Sequence, residues 1–199
     1  KVTKIEKEER SSSALIFYWG MNGTYPELDV HNIFFSDHYK EEFRHLFNLK
    51  TAHSDPTVYI YISSKYNKSD APEGGENWFV MVNAPADVGQ NWDELIPQMR
   101  QYILEKLERM LKKPLSRKIV AEEILSPPEI WKLTGSVNGS LYGSSSNSRY
   151  ASFNRHPNFR KDIRGLYFVG GSVHPGGGIP LCLSSAKIVE GLVSEQFKK

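Results

Sequence analysis

The chain has 199 residues, room for one sizeable core or two modest ones on the usual scale of roughly 100–200 residues per domain. Hydrophobic residues make up 39% and charged residues 24%, which excludes a disordered chain, and a net charge of +2 without a dense Lys/Arg block gives nucleic acid no footing. The single cysteine, Cys182, excludes an internal disulfide, and no apolar run approaches the ~20 residues of a membrane span.

Along the chain, Val2–Glu6 alternates apolar and polar residues and Ala14–Trp19 is apolar and aromatic, so both are predicted strands, with Asn22-Gly23 as a turn. Asn32–Phe35 is a third short strand. Ser36-Asp37 offers an N-cap to a helix with Tyr39, Phe43, Leu46 and Phe47 at helical spacing. Asp55-Pro56 breaks the chain before the β-branched and aromatic strand Thr57–Ser63, and a loop over Ser69–Asn77 leads to the strand Trp78–Asn83. Asn91–Lys113 carries an apolar stripe from Trp92 to Leu111 with Glu, Lys and Arg opposite, the pattern of an amphipathic helix. Lys118–Leu125 returns as a strand, and Pro127–Leu133 starts a short helix with Pro in its first turn.

Gly135–Arg160 is a long stretch of Gly, Ser and Asn with few apolar residues. Leu166–Val169 reads as a short buried strand, and Leu181–Phe197 as the terminal helix that contains Cys182, expected to be a buried small hydrophobe. The expected fold is therefore α+β. An antiparallel or mixed sheet carries helices on one face, followed by a C-terminal strand, glycine loop and helix of different character. The expected division is 1–134 and 135–199.

The glycine loop carries the chemistry. Gly165–Lys187 reads GLYFVGGSVHPGGGIPLCLSSAK, with glycines at 170, 171, 176, 177 and 178 around His174 and Pro175 and ahead of Ile179. Glycine permits close backbone approach and left-handed conformations, and the first N–H groups of a helix lack intrahelical acceptors and carry positive potential. Such a loop suits a phosphate or another electron-rich group; a plain helix-capping turn is the bland reading. No Lys-Ser/Thr follows the glycines, so it is not a Walker A loop, and no acidic ribose ligand stands at the spacing a dinucleotide fingerprint needs.

This stretch resembles the C-terminal flavin-binding signature of the FAD-dependent carotenoid (phytoene-type) desaturases. His31–Ser36 (HNIFFS), Asp55–Lys65 (DPTVYIYISSK) and Ala71–Gly74 (APEG) are similar to segments of that family's substrate region. Asn138–Gly143 (NGSLYG) and Phe153–Phe159 (FNRHPNF) fit it too. The RHPNF and GGSVHPGGGIPLCL forms look closer to the hydroxycarotenoid 3,4-desaturase branch. The family's N-terminal G-x-G-x-x-G turn has no counterpart in Lys1–Lys199, and the first residue is not Met, so the expectation is a C-terminal fragment, inactive by itself. Residues 1–134 would then be part of a substrate domain and 135–199 the closing segment of an FAD-binding domain.

The resemblance implies FAD as cofactor. Gly170 and Gly171 would lie along its ribityl–pyrophosphate arm, and Pro175, Gly176, Gly177, Gly178 and Ile179 near the ring, where helix-end potential favours hydride acceptance. His174 is the candidate acid or base, or else a turn histidine that shapes the loop. Arg155 and His156 would touch phosphate or hold the long loop, and Arg149 reads as a surface residue. No metal site is expected, since His31, His38, His45 and His53 form no regular ligand set, and Asp29, Glu41 and Glu42 read as solvated charges. The implied substrate is an apolar polyene, reached by peripheral membrane contact from the cytoplasm. Phe17, Trp19, Phe34, Phe35, Tyr59, Tyr61, Trp78 and Phe79 either line its tunnel or form plain sheet core. Self-association of the chain is also expected. A flavoprotein acting on another isoprenoid, in the manner of the retinol saturases, and a non-catalytic lipid-binding or assembly module stay open as rivals.

Overall fold

The structure is a computed structural model that describes residues 8–145 and 155–197. The predicted strand Val2–Glu6 and Arg149 lie outside the described residues. Strands β1 (Ser13–Asn22), β2 (His31–Phe34), β3 (Val58–Tyr61), β4 (Gly75–Ala84) and β5 (Ile119–Leu125) form one sheet in the order β2-β3-β4-β1-β5. Every pairing in it is antiparallel, so the expected α+β class holds and the sheet is not mixed. The helices are α1 (Tyr39–Arg44), α2 (Trp92–Leu111), α3 (Pro127–Thr134) and α4 (Ile179–Phe197).

Strand alternation sorts the side chains. Leu15, Phe17 and Trp19 of β1 stand opposite Val82, Val80 and Trp78 of β4, and Val58 and Ile60 of β3 extend the same rows. These residues are buried against Met99, Ile103, Leu104 and Leu107 of α2. Each large apolar side chain so buried stabilises the fold by roughly 1.5–3 kcal/mol. The predicted stripe of α2 therefore faces the sheet. The helix ends two residues short of the predicted Lys113, because Lys112 takes a left-handed conformation at φ 54°. Beyond β5, α3 is fixed at both ends. Ser126 and Glu129 form a reciprocal capping box, and Gly135 closes the helix at φ 72°, its N–H bonded to the Trp131 carbonyl.

Two charged residues assigned to water are buried instead. Glu42 of α1 accepts bonds from the Thr57 N–H at 2.9 Å and the Thr57 hydroxyl at 2.7 Å, which ties α1 to the start of β3. Lys106, expected on the polar side of α2, is only 3% exposed and donates to Asp55, to the Phe35 carbonyl and to the Pro56 carbonyl. In both cases a fixed set of polar partners replaces hydration.

The C-terminal part departs from expectation. Leu166–Val169 does not form a strand: Tyr167 makes a single bridge to Phe159, and Val169 is exposed. Its bridge and its backbone bonds to the stretch 158–160 are too few to extend a ladder. Cys182 is half-buried rather than buried, because α4 presents most of its surface to solvent.

Candidate functional site

The glycine turn is held by residues that the motif reading passed over. Asn158, buried, donates from Nδ2 to the Phe168 carbonyl at 3.1 Å, the His174 carbonyl at 2.9 Å and the Ser185 hydroxyl at 2.8 Å. The Ser185 hydroxyl in turn accepts from the Gly170 N–H at 3.2 Å. One amide and one hydroxyl thus join the segment before the turn, both flanks of the turn, and α4. Asn158 belongs to the RHPNF motif, but a sequence does not say which of its polar residues turns inward.

The predicted site residues come together around this staple. His174 is exposed; its N–H donates to the His156 carbonyl at 2.9 Å, while its own carbonyl is the Asn158 acceptor. His174 is followed by the cis-linked Pro175. The glycines divide into two kinds. A Cβ on Gly171 would stand 3.2 Å from the Gly177 Cα, one on Gly176 would stand 3.1 Å from Arg155 Nε, and one on Gly177 would fall 2.1 Å from the Tyr142 ring. At these three positions the protein's own groups occupy the space. Gly170 and Gly178, at φ 126° and 101°, instead have open space where a Cβ would stand. A bound group therefore has room to approach at Gly170 and Gly178, and Ile179, which follows Gly178, is 79% exposed.

Arg155 holds the loop in this structure: its Nη1 donates to the Tyr142 and Gly171 carbonyls, both at 3.1 Å. His156 bridges to Val173, bonds through Nδ1 to the Pro157 carbonyl at 2.8 Å and packs edge-on against Phe168. A cleft of about 450 Å³ lies beside the turn, lined by Phe47, Tyr142, Arg155, Gly176, Gly177 and Leu181 among others. No group of three or more metal-binding side chains occurs among the described residues.

A second surface lies on the sheet face turned away from α2. Register places Ile33, Tyr59, Met81, Ile16 and Leu125 in one row across the five strands, and His31, Tyr61, Phe79, Tyr18 and Glu123 in the next. Rings touch along it: Tyr18 against Phe79 at 5.5 Å and His31 stacked on Tyr61 at 5.1 Å between centroids. His31 Nδ1 and the Tyr59 hydroxyl are 2.8 Å apart, and burial, with the nearby Tyr61, pushes the Tyr59 phenol above its ordinary range. Past Tyr18 the floor drops to Gly20 and Ala121, opening a cleft of about 540 Å³. The aromatic residues read from the sequence therefore separate by strand parity. Phe17, Trp19 and Trp78 are core, Phe34 packs partly against it, and Tyr59, Tyr61 and Phe79 line the open face. Phe35, past the end of β2, is exposed.

The sheet thus has an apolar, largely open face turned away from α2, and a glycine turn heads α4. Comparison with known proteins supplies the family. The chain is 56% identical over 190 residues to the 1-hydroxycarotenoid 3,4-desaturase of Flavobacterium sp. (strain P99-3), covering 96% of this chain and 39% of that protein. It is 34% identical over 191 residues to the 4,4'-diaponeurosporene oxygenase of Staphylococcus haemolyticus (strain JCSC1435), covering 95% and 38%. Against the enzyme of that name from Staphylococcus aureus (strain MSSA476) it is 32% identical over 201 residues, covering 100% and 40%. No family model matches the chain. The chain belongs to the carotenoid desaturase family, and it spans about two fifths of the length of these relatives.

Proposed function

We propose that this chain supplies the substrate platform and the closing turn of the cofactor site in an FAD-dependent carotenoid desaturase that acts on a hydroxylated carotenoid. The observation that carries the reading is the sheet face turned away from α2, two rows of mostly apolar side chains from five strands of which only Ile16 is buried. A rigid polyene needs such a long apolar floor, and an ordinary sheet would bury it. The 56% identity to a 1-hydroxycarotenoid 3,4-desaturase, against 34% and 32% to the oxygenases, favours desaturation over oxygenation.

Removal of two hydrogens from neighbouring carbons needs a two-electron acceptor, which a bound flavin supplies. The chain's own residues do the remaining work. Gly170 and Gly178 leave room for the cofactor, while Arg155 and Tyr142 back Gly171, Gly176 and Gly177 and the Asn158–Ser185 pair holds the Gly170 N–H and the His174 carbonyl. The amides that open α4 at Gly178 and Ile179 present positive potential toward that room. His174 has its backbone clamped on both sides and its ring exposed, the arrangement of a group positioned to take up a proton. In this reading residues 1–134 form the substrate part and 135–199 the closing segment, and the 199-residue chain alone neither binds FAD stoichiometrically nor turns over.

The test uses the complete gene product with detergent-dispersed 1-hydroxylated carotenoid and with phytoene. Lengthened conjugation shifts the product's absorption to the red, and its mass falls by two hydrogens. Tyr18→Glu, which places a charge on the open face, should abolish the shift while the flavin absorption of the purified protein persists. A flavin-loaded enzyme that converts no polyene, or a Tyr18→Glu variant as active as the parent, overturns the reading.

A further inference from the structure

The open sheet face is not uniform. Along β4, β1 and β5 its two rows hold Phe79, Met81, Ile16 and Leu125, with polar tips only on Tyr18 and Glu123. The remaining polar tips, those of His31, Tyr59 and Tyr61, gather at the corner formed by β2 and β3. The His31 imidazole lies nearly parallel to both phenol rings, at 16° to Tyr59 and 22° to Tyr61, which fixes its plane. Its Nδ1 is 2.8 Å from the Tyr59 hydroxyl. A cleft of about 360 Å³ opens at this corner, lined by His31, Tyr59, Tyr61 and the 90% exposed Tyr66 among others.

The His31–Tyr59 pair has the hydrogen-bonding sense that an alcohol requires. When Nδ1 accepts, the Tyr59 hydroxyl donates to it, which leaves a lone pair on Tyr59 and an N–H at Nε2. In the other tautomer Nδ1–H donates, Tyr59 has its own O–H to give, and Nε2 accepts. Either tautomer presents one donor and one acceptor, and a hydroxyl uses one of each. The pair also has a fixed place relative to the glycine turn. Ser11 and Ser12, just ahead of β1, line the cleft that contains Gly176 and Gly177. His31 is level with Tyr18, six residues along β1 from Ser12, and β2 lies three places across the sheet from β1. At about 3.3 Å per residue and about 4.8 Å per strand, His31 stands about 25 Å from Ser12. A group held at this corner therefore belongs to the end of an extended molecule remote from the turn.

We infer that His31 and Tyr59, with Tyr61 stacked beside them, bind a hydroxyl on the end of the polyene remote from the glycine turn, so that a carotenoid hydroxylated at both ends is preferred. The inference deepens the polyene reading and rests on it. The experiment compares two detergent-dispersed carotenoids of one chain length, hydroxylated at one end or at both, on the complete gene product. Binding is read without turnover by quenching of the protein's fluorescence, and conversion by the red shift of product absorption. The parent should favour the doubly hydroxylated carotenoid about tenfold in affinity and in kcat/KM, mainly through KM, the worth of one net hydrogen bond. Tyr59→Phe and His31→Leu should each bring both ratios close to one. Thermal unfolding checks the variants. If Tyr59→Phe fails to fold, His31→Leu, at an exposed position of the edge strand β2, decides. A parent that binds and converts both carotenoids equally overturns the inference and leaves the functional reading standing, as do variants that keep the parent's preference. A protein that binds with the expected preference, lost in the variants, but converts neither carotenoid would fail the functional reading alone. One that binds neither overturns both.

Discussion

Asn158 and Ser185, 27 residues apart in sequence, meet through a buried 2.8 Å hydrogen bond that closes the frame of the glycine turn. Replacing Asn158 by Leu takes the donor from the Phe168 and His174 carbonyls and leaves the Ser185 hydroxyl with the Gly170 N–H. Each buried polar group so orphaned costs about 1–3 kcal/mol. Asn158→Leu should therefore be among the more destabilising single changes in residues 155–197, and Asn158→Asp should also destabilise, because a carboxylate brings acceptors to the Phe168 and His174 carbonyls. Urea unfolding of the parent and both variants measures this. Stabilities within error of the parent would show that the turn is held by other means.

Gly177 and Tyr142 form a second coupled pair. A Cβ at residue 177 would fall inside the Tyr142 ring, so Gly177→Ala must expel the ring, whereas Gly177 itself has an ordinary φ and adds no backbone strain. At Gly178 the situation is reversed, with open space but φ 101°, so Gly178→Ala is strained whatever surrounds it. In a double-mutant cycle, Gly177→Ala should cost about 1–2 kcal/mol in the parent and far less in a Tyr142→Ala background. Gly178→Ala should cost the same in both. Equal costs for Gly177→Ala in the two backgrounds would remove Tyr142 as the reason for that glycine.

Most of the sheet was legible in the sequence because alternation and helical stripes are local signals. The strands from Ala14, Asn32, Thr57, Trp78 and Lys118 and the long helix all form, with ends shifted by a few residues. Strand order was not legible. β1 and β2 are consecutive in sequence but lie at separate positions in the sheet, with β3 and β4 between them. Parity did separate the aromatics once register was known, but sequence alone does not tell which face a helix will cover. Lys106 and Glu42 were misread because their type predicts water, and only Phe35, Asp55, Pro56 and Thr57, none of them near by helical spacing, supply the partners that let them be buried. At the glycine turn the motif picked out the loop but not the frame that holds it. Asn158, Ser185 and Tyr142 act across gaps of 10 to 35 residues that no periodic signal spans.

Helix α4 gives a prediction about the 199-residue chain itself. Ile179, Leu181, Leu183 and Ile188 are all exposed, whereas Ser185 is buried. Exposed apolar surface of this kind drives association. The chain should sediment as dimers or larger species at micromolar concentration, and Leu183→Glu/Ile188→Glu should shift it toward monomer. Sedimentation velocity of both proteins decides, and a monomeric parent would contradict the expectation.

The buried pair Lys106–Asp55 gives the clearest pH dependence. Lys106 Nζ lies 2.7 Å from the Asp55 carboxylate and is otherwise met only by the carbonyls of Phe35 and Pro56. Burial pushes the Asp55 carboxyl up, but the Lys106 bond, the Asp37 N–H and the Lys106 charge together outweigh it, so the carboxyl sits below its ordinary range. A carboxyl lowered on folding contributes stability that is complete above its unfolded pKa of about 3.9 and is lost as the pH falls through its folded value. Asp55→Asn at neutral pH leaves a buried ammonium without its counter-charge, which should cost about 3 kcal/mol. Below pH ~4 the unfolded carboxyl takes up its proton first, so the gap between parent and variant should narrow, and it should close once the pH passes the lower folded value of the parent's carboxyl. Glu27, held low by its bond to Lys113, and Glu108, held low by the Ser116 and Leu115 amides, titrate in both proteins and cancel from the difference. Urea unfolding of parent and Asp55→Asn across neutral to acid pH therefore isolates the pair. A gap that stays constant with pH would mean that shape rather than charge makes Asp55 matter, and that the carbonyls of Phe35 and Pro56 suffice for the buried lysine.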